Sequence, residues 1–274
     1  MTPEAKNELT HYLNAIQIVM VNTTLPANIG SAARAMHTMG LSKLIVVDPK
    51  LPIDNNSEAY AAGGIDILTQ AKICPTLDEA IKDCQLVFAA SSRSRHLPRP
   101  VVNPSQAAAL IADFIDHQPC ENLPNIAILF GREDRGLTND ELAAADYHIQ
   151  IDANPDYPVL NVASAVQVIA SFVFTYLQSH VTNKAIDNLQ NESSPPMIQT
   201  LLRQHWDEPA ITQAQLQQLT TNITKLMVTR HLADPEHLRA LPSRLSRLGS
   251  RLQLDQKEYQ LLSALIAKLL KEAP

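Results

Sequence analysis

Five short apolar runs set the rhythm of the chain up to Ile151: Ile16-Gln17-Ile18-Val19-Met20-Val21, Leu44 to Val47, Leu86 to Ala90, Ile126 to Phe130 and His148 to Ile151. Runs this continuous predict strands covered on both faces, the habit of a parallel sheet. Between them the spacing turns helical. Ile29 to Met39 is one helix, with Asn28 as its expected cap and Gly40 as its stop; Leu77 to Asp83 and Pro104 to Ile115 are others. Thr138 and Glu141 make a capping box for a further helix, and Leu160-Asn161-Val162 opens a long apolar one. Ala59 to Ile67 is ambiguous, because Gly63-Gly64 interrupts it. Strands alternating with helices predict an α/β domain on a mostly parallel sheet.

The pattern changes near Thr182. Asn183 to Pro196 is polar and ends in Ser193-Ser194-Pro195-Pro196, the composition of a linker. Beyond it every stretch has helical spacing. Thr212 to His231 places Leu216, Leu219, Ile223 and Leu226 on one face, and Pro242 to Leu252 does the same with Leu245, Leu248 and Leu252. Asp255 with Glu258 caps a last helix expected to bury Leu261, Leu262, Leu265 and Leu269. The expected division is residues 1–180 as the α/β domain, 181–198 as linker and 199–274 as a small helical unit, with Trp206 as a core anchor of the bundle.

Composition narrows the function. Of 274 residues, 45% are hydrophobic and 18% charged, which is globular, while aromatics at 4% are too few for a stacking platform along single-stranded nucleic acid. Leu160 to Leu177 carries Asn161, Ser164, Gln167 and Ser171 and is expected as a core helix rather than a membrane span. Near the N-terminus acidic and amide residues stand where a signal peptide has its apolar block. Cys74, Cys84 and Cys120 lie far apart in no metal-binding pattern, and no histidine pairs with them, so reduced thiols, a cytoplasmic location and no metal are expected. The net charge of −6 is uneven: Lys225 to Arg251 holds six basic residues against Asp234 and Glu236, and Ser92 to Pro100 carries Arg93, Arg95 and Arg99 without an acid. Local basic surfaces on an acidic body suit an RNA that binds and leaves.

Neither G-x-G-x-x-G after a strand nor G-x-x-x-x-G-K-[ST] occurs, so a nucleotide-dependent oxidoreductase lacks its phosphate loop. Four loops remain at strand ends: Asn22–Arg34, Ala90–Arg99, Gly131–Gly136 and Asn154–Asn161. Three of them hold ordered motifs: Asn28-Ile29-Gly30-Ser31-Ala32-Ala33-Arg34-Ala35-Met36, Phe130-Gly131-Arg132-Glu133, and Asn154-Pro155 through Leu160-Asn161. In this order they resemble the motifs of the SPOUT RNA methyltransferases. Within these the chain is most similar to the TrmJ branch, which methylates the ribose 2′-hydroxyl of the pyrimidine at nucleotide 32 of tRNA. The likeness spans the whole α/β domain and, more loosely, the helical tail.

The resemblance implies a trefoil knot in the C-terminal part of the sheet, a homodimer, and S-adenosylmethionine bound bent within the knot. None of these follows from periodicity, and threaded chains are ordinarily excluded. It also implies that Ala90, Ser91 and Ser92 line the cofactor and that Gly131 faces it, with Leu129 and Phe130 packed beneath. Backbone groups of Ile151, Val159 and Leu160 would hold its two ends, while Pro158 offers no N–H. Relatives usually carry Ser at the position of Val159, so a hydroxyl contact is missing here. Asn161 belongs to the same loop and also suits a helix cap.

The resemblance assigns activation of the ribose hydroxyl to Arg34. A guanidinium is a poor base, with a pKa above about 12, but it can orient phosphate and stabilise a developing alkoxide. Asn28 would hold Arg34 or the ribose, and Glu133 would have a structural or substrate-positioning role. Arg93, Arg95 and the Arg244/Arg247/Arg251 face are expected RNA contacts. Two other readings stay open: a relative acting on another RNA such as ribosomal RNA, and an RNA-binding relative without catalysis.

Overall fold

A computed structural model describes residues 3–91, 99–119, 123–187, 206–238 and 240–271. Its seven strands are β1 (Ile16–Val21), β2 (Lys43–Val47), β3 (Lys72–Cys74), β4 (Leu86–Ala90), β5 (Val101–Val102), β6 (Ile126–Phe130) and β7 (Tyr147–Ile149). They form one sheet in the order β3-β2-β1-β6-β4-β7-β5, and every pairing is parallel. β1 and β6 lie side by side at its centre and are buried along their whole length, which is why their sequences lack polar alternation. Ile18 and Met20 point into one apolar layer, Val19 and Val21 into the other. The last of the five expected strands begins one residue early, at Tyr147, and ends at Ile149. β3 and β5 were not expected; segments so short carry no periodic signal.

The larger layer is built by α1 (Pro3–Asn14), α2 (Pro26–Thr38), α6 (Pro104–Asp116) and α8 (Val162–Asp187). The chain's polar start hides α1, which buries Ala5, Leu9, Tyr12 and Leu13 along one stripe. α2 starts earlier than expected, with Pro26 in its first turn and Leu25 at the cap position without a side-chain bond. Asn28 is therefore inside the helix and does not cap it. The ambiguous stretch resolves into α3 (Asn55–Ala61), a 3₁₀ turn over Ala62–Gly64 and α4 (Ile65–Thr69). α5 (Leu77–Ile81) and α7 (Asn139–Ala143) lie on the opposite layer.

α8 is long and apolar enough to cross a membrane by composition, yet Val166, Ile169, Val173, Leu177 and Val181 are buried as a stripe in the core. It runs on to Asp187, so the first part of the expected linker is helix and the remainder lies outside the described residues. Near its end Lys184 donates to Asp116 Oδ1 at 2.8 Å and to the Tyr12 hydroxyl at 2.9 Å, and His180 Nε2 meets Asp116 Oδ2 at 2.8 Å. Tyr12 also donates to Asp116, joining α1, α6 and α8 at one carboxylate.

The tail holds α9 (Gln213–Thr229), α10 (Leu241–Leu252) and α11 (Gln256–Lys271). The cap of Asp255 with Glu258 forms as expected, and Thr212 makes a further capping box with Gln215. Leu216, Leu219, Leu254 and Ile266 make its core. Two expectations are corrected here. α10 buries Gly249, while Leu248 and Leu252 are exposed; α11 buries Ile266 and packs Leu262 against the core as expected, while Leu261 and Leu265 face outward. The tail joins the α/β unit through backbone bonds from Gln213 N to Cys84 O at 2.8 Å and Ala214 N to Lys82 O at 3.1 Å. Trp206 anchors the junction, its ring set edge-on to Phe114 at 6.1 Å.

Candidate active site at the carboxyl edge of the sheet

Parallel strands put all their carboxyl ends on one edge, and β6, β4 and β7 are neighbours there. Ala90, Phe130 and Ile149 end these strands and line one cleft of about 870 Å³, its open mouth included. Gly131, Ser91 and Ile151 continue the lining, and Pro158, Val159 and Leu160 arrive from the loop before α8. One wall is apolar (Phe130, Ile149, Leu160, Val162), and the other is the charged loop from Arg132 to Arg135. Size and lining suit a small molecule with a flat ring and a charged tail.

Two expected lining residues are elsewhere. Leu129 is fully buried and packs in the opposite layer, because side chains alternate along β6. Asn161 does not border the cleft; its Oδ1 accepts from Ala163 N at 2.8 Å and caps α8. Ser92, Arg93 and Arg95 lie outside the described residues, as does Cys120.

The glycine-bounded loop after β6 is held by its own charges. Gly131 borders the cleft, but its lack of a side chain is demanded by the loop itself. A Cβ there would stand 2.2 Å from the Gly136 carbonyl carbon and the Leu137 nitrogen. Gly136, with φ +69°, makes the turn that brings this backbone back, and its N–H donates to Arg132 O at 2.8 Å. The Arg132 guanidinium spans Glu141 Oε1 at 2.8 Å, Glu141 Oε2 at 3.3 Å and Gly136 O at 3.1 Å, and also donates to Asn22. Glu141 thus serves both this fork and the Thr138 capping box of α7.

Glu133 turns the other way. Its carboxylate accepts from Thr24 N at 3.0 Å, Thr24 Oγ1 at 2.7 Å and Asn28 Nδ2 at 2.7 Å, with Leu25 N at 3.3 Å. An acid from a distant loop therefore takes the place of the missing cap at the start of α2, where the helix dipole favours negative charge. Burial opposes ionisation of Glu133, but the bonds from Asn28 and Thr24 outweigh it and hold the carboxyl below its ordinary range. Asn28 Oδ1 in turn accepts from Asn161 Nδ2 at 3.0 Å. All three motifs read from the sequence thus meet in one chain of bonds: Asn161, Asn28, Glu133.

Arg34 is exposed on α2, held outward by its buried neighbours Ala33 and Ala35, and it does not line the cleft of its own chain. Of the tail arginines, Arg244 and Arg251 are exposed, whereas Arg247 is partly covered and its Nε is buried without a partner among the described residues. Arg99, expected on a basic surface loop, turns inward: its guanidinium donates to Ala143 O at 2.7 Å, Ser246 Oγ at 3.2 Å and Ser250 Oγ at 3.4 Å. Sequence reasoning gave no role to Asn22, Arg132 or Asp146. For Arg132 the only local hint was its place directly after the strand-end Gly131; its partners Asn22 and Glu141 come with the fold. Among the described residues no group of three or more His, Cys, Asp or Glu is placed to hold a metal ion.

Residues 15–171 match the family described as the SpoU rRNA Methylase family. The tRNA (cytidine/uridine-2′-O-)-methyltransferase TrmJ of Pectobacterium atrosepticum is 35% identical over 260 residues, covering 94% of this chain and 98% of that protein. The tRNA (cytidine/uridine/adenosine-2′-O-)-methyltransferase TrmJ of Pseudomonas aeruginosa is 33% identical over 262 residues, covering 95% and 96%. Among solved structures, that of TrmJ from Z. mobilis superposes with a TM-score of 0.72 at 27% identity, covering 93% of this chain and 98% of that one.

Proposed function

The chain belongs to the SpoU rRNA methylase family, an assembly of RNA ribose methyltransferases, and on that premise we propose that it methylates the ribose 2′-hydroxyl of nucleotide 32, a cytidine or uridine, in the anticodon loop of tRNA, with S-adenosylmethionine as donor. The observation that carries this reading is the shared cleft: Ala90 at the end of β4, Gly131 after β6 and Leu160 before α8 border one hollow at the carboxyl edge of the sheet. The two relatives named above differ in the bases they accept but share the ribose 2′-oxygen as target. This favours a site built around sugar and phosphate.

The lining fits the donor. The apolar wall of Phe130, Ile149 and Leu160 suits the adenine ring, and the backbone at Ile151, Val159 and Leu160 supplies polar atoms to its edges without needing particular side chains. Val159 can therefore stand where a hydroxyl is usual. When bound, S-adenosylmethionine supplies a methyl group on a positively charged sulfur. The residues of this chain then have to bind, orient and polarise. Arg34 holds the phosphate beside the target ribose and stabilises the charge growing on the 2′-oxygen. Asn28 and Glu133 fix the start of the helix that carries it.

The same reading includes a homodimer through the α/β domain and the trefoil knot. Tyr157, Val159, Leu160 and Phe172 are large apolar residues exposed around the cleft, a surface that pairing would cover. A dimer would also bring Arg34 to a cleft that its own chain does not let it line. Residues 1–180 form the transferring unit in this scheme, with 199–274 reading tRNA through Arg244 and Arg251, and Arg93 and Arg95 touching phosphate. Free, buried Cys74 and Cys84 suit a reducing cytoplasm.

The test is to incubate the purified protein with S-adenosylmethionine and unmodified tRNA and to digest the product for mass spectrometry of its nucleosides. A 2′-O-methylated pyrimidine at nucleotide 32 is expected. Methylation of ribosomal RNA alone would reassign the substrate, and failure to bind S-adenosylhomocysteine would reject the donor site.

A further inference from the structure

Asp146 sits where the helical tail meets the sheet, immediately before β7. Its N–H donates to Val87 O at 2.8 Å, and its Oδ2 accepts from Val87 N at 2.9 Å. The side chain thus extends the β4–β7 ladder beyond its last backbone pair, whose register runs Phe88↔Tyr147, Ala89↔His148 and Ala90↔Ile149. The far end of that ladder is the cleft, since Ala90 and Ile149 both line it. At a strand rise of about 3.3 Å per residue, Asp146 and Ile149 are about 10 Å apart.

The tail grips this carboxylate. Gln213 Nε2, in the first turn of α9, donates to Asp146 Oδ2 at 3.1 Å, and Ser250 of α10 bonds to it as well. Arg99 crosses the same seam, joining Ala143 O, the carbonyl before the turn into Asp146, to Ser246 and Ser250. The residues of α10 that meet this seam are therefore the polar Ser246 and Ser250, while Gly249 between them packs on Leu216 of α9.

We propose that Asp146 and Arg99 are positioning residues for the donor cleft, through which the docked tail sets the register of the two strands whose ends line it. This rests on the donor-site reading above. Neither residue borders the cleft, so neither touches the donor; both act through β4 and β7.

Titration calorimetry of the full chain with S-adenosylhomocysteine, well below each variant's melting temperature, tests this. Asp146→Ala, and Ser246→Ala with Ser250→Ala on the tail, should each weaken binding by about tenfold, within the usual range for coupled sites. Asp146→Asn keeps an oxygen for Val87 N–H and should stay within about twofold of wild type. Hydrogen exchange without ligand should show faster exchange of the Ser91 amide, bonded to Ile149 O at 2.9 Å, in the weakened variants only. Unchanged affinity in Asp146→Ala and the double serine variant overturns the proposal, as does an Asp146→Asn variant as weak as Asp146→Ala. A wild-type protein that fails to bind overturns the donor-site reading, and this inference with it.

Discussion

Asn28 donates its side-chain amide to Glu133 across 2.7 Å, although the two residues stand 105 positions apart in the sequence. The bond fastens the start of α2 to the loop after β6, and so fastens the helix bearing Arg34 to the cleft wall.

Replacing Glu133 by alanine removes the acceptor of four donors and should destabilise the protein by about 2 kcal/mol, as for the loss of a strong helix cap. The pH dependence follows from a carboxyl held below its ordinary value of 4.5. Its stabilisation is fully present well above that value and is lost as the pH falls below it. Denaturant unfolding of wild type and variant should therefore differ at pH 7, and the difference should shrink as the pH falls below 4.5.

Arg34→Ala should bind S-adenosylhomocysteine as wild type does and lose methyl transfer by on the order of 10² or more, the scale of losing one charge-stabilising group. Arg34→Lys keeps the charge without the planar fork and should recover only part of the rate. Single-turnover assays with tRNA decide it; unchanged turnover in Arg34→Ala removes the residue from the mechanism.

Gly131→Ala drives a methyl group into the backbone of Gly136 and Leu137 and should cost about 2–3 kcal/mol, with donor affinity lost as the loop shifts. Gly136→Ala meets nothing within 4 Å and pays only for its positive φ, about 1 kcal/mol. Melting curves should rank the two in that order.

Arg244→Glu with Arg251→Glu reverses two exposed charges on α10 and should weaken tRNA binding more at 50 mM salt than at 200 mM. Each lost phosphate contact lowers the salt slope by about 0.7–0.9. Arg247 is unsuited to this test, because its partly buried guanidinium lies at the seam with Arg99.

Asp116→Asn weakens the junction of α1, α6 and α8 and should cost about 2 kcal/mol near neutral pH. Burial alone would raise this carboxyl, but bonds from His180, Lys184 and Tyr12 hold it well below the usual carboxylate range. The stabilisation is complete above its ordinary 3.8 and fades as the pH falls through the depressed value, so thermal melting at pH 3 should narrow the gap only slightly.

Sequence revealed what depends on neighbours along the chain. β1, β4 and β6 are legible because burial on both faces leaves an unbroken apolar run. The boxes at Thr138 and Asp255 are legible because each closes within three residues. Asn28 was misjudged for the opposite reason: its local context suits a cap, while its partners Glu133 and Asn161 come from remote loops. The leucines of α10 misled similarly, since helical spacing says which residues share a face and not which face docks. Ser246 and Ser250 bind Arg99 at the seam and Gly249 lets α10 close on Leu216 of α9, and no apolar pattern announces them. Of the site, the order of the three motifs pointed to the cleft; the clamps that shape it, Arg132 and Asp146, required the fold.

Because β1 is flanked by β2 and β6, the middle of the sheet stays open on one side until Phe130 has left the ribosome. Glu133 emerges just after. An N-terminal fragment stopped before that point would carry a bare strand edge and an uncapped α2, a sticky species that a nascent chain must outlast or a chaperone must shield.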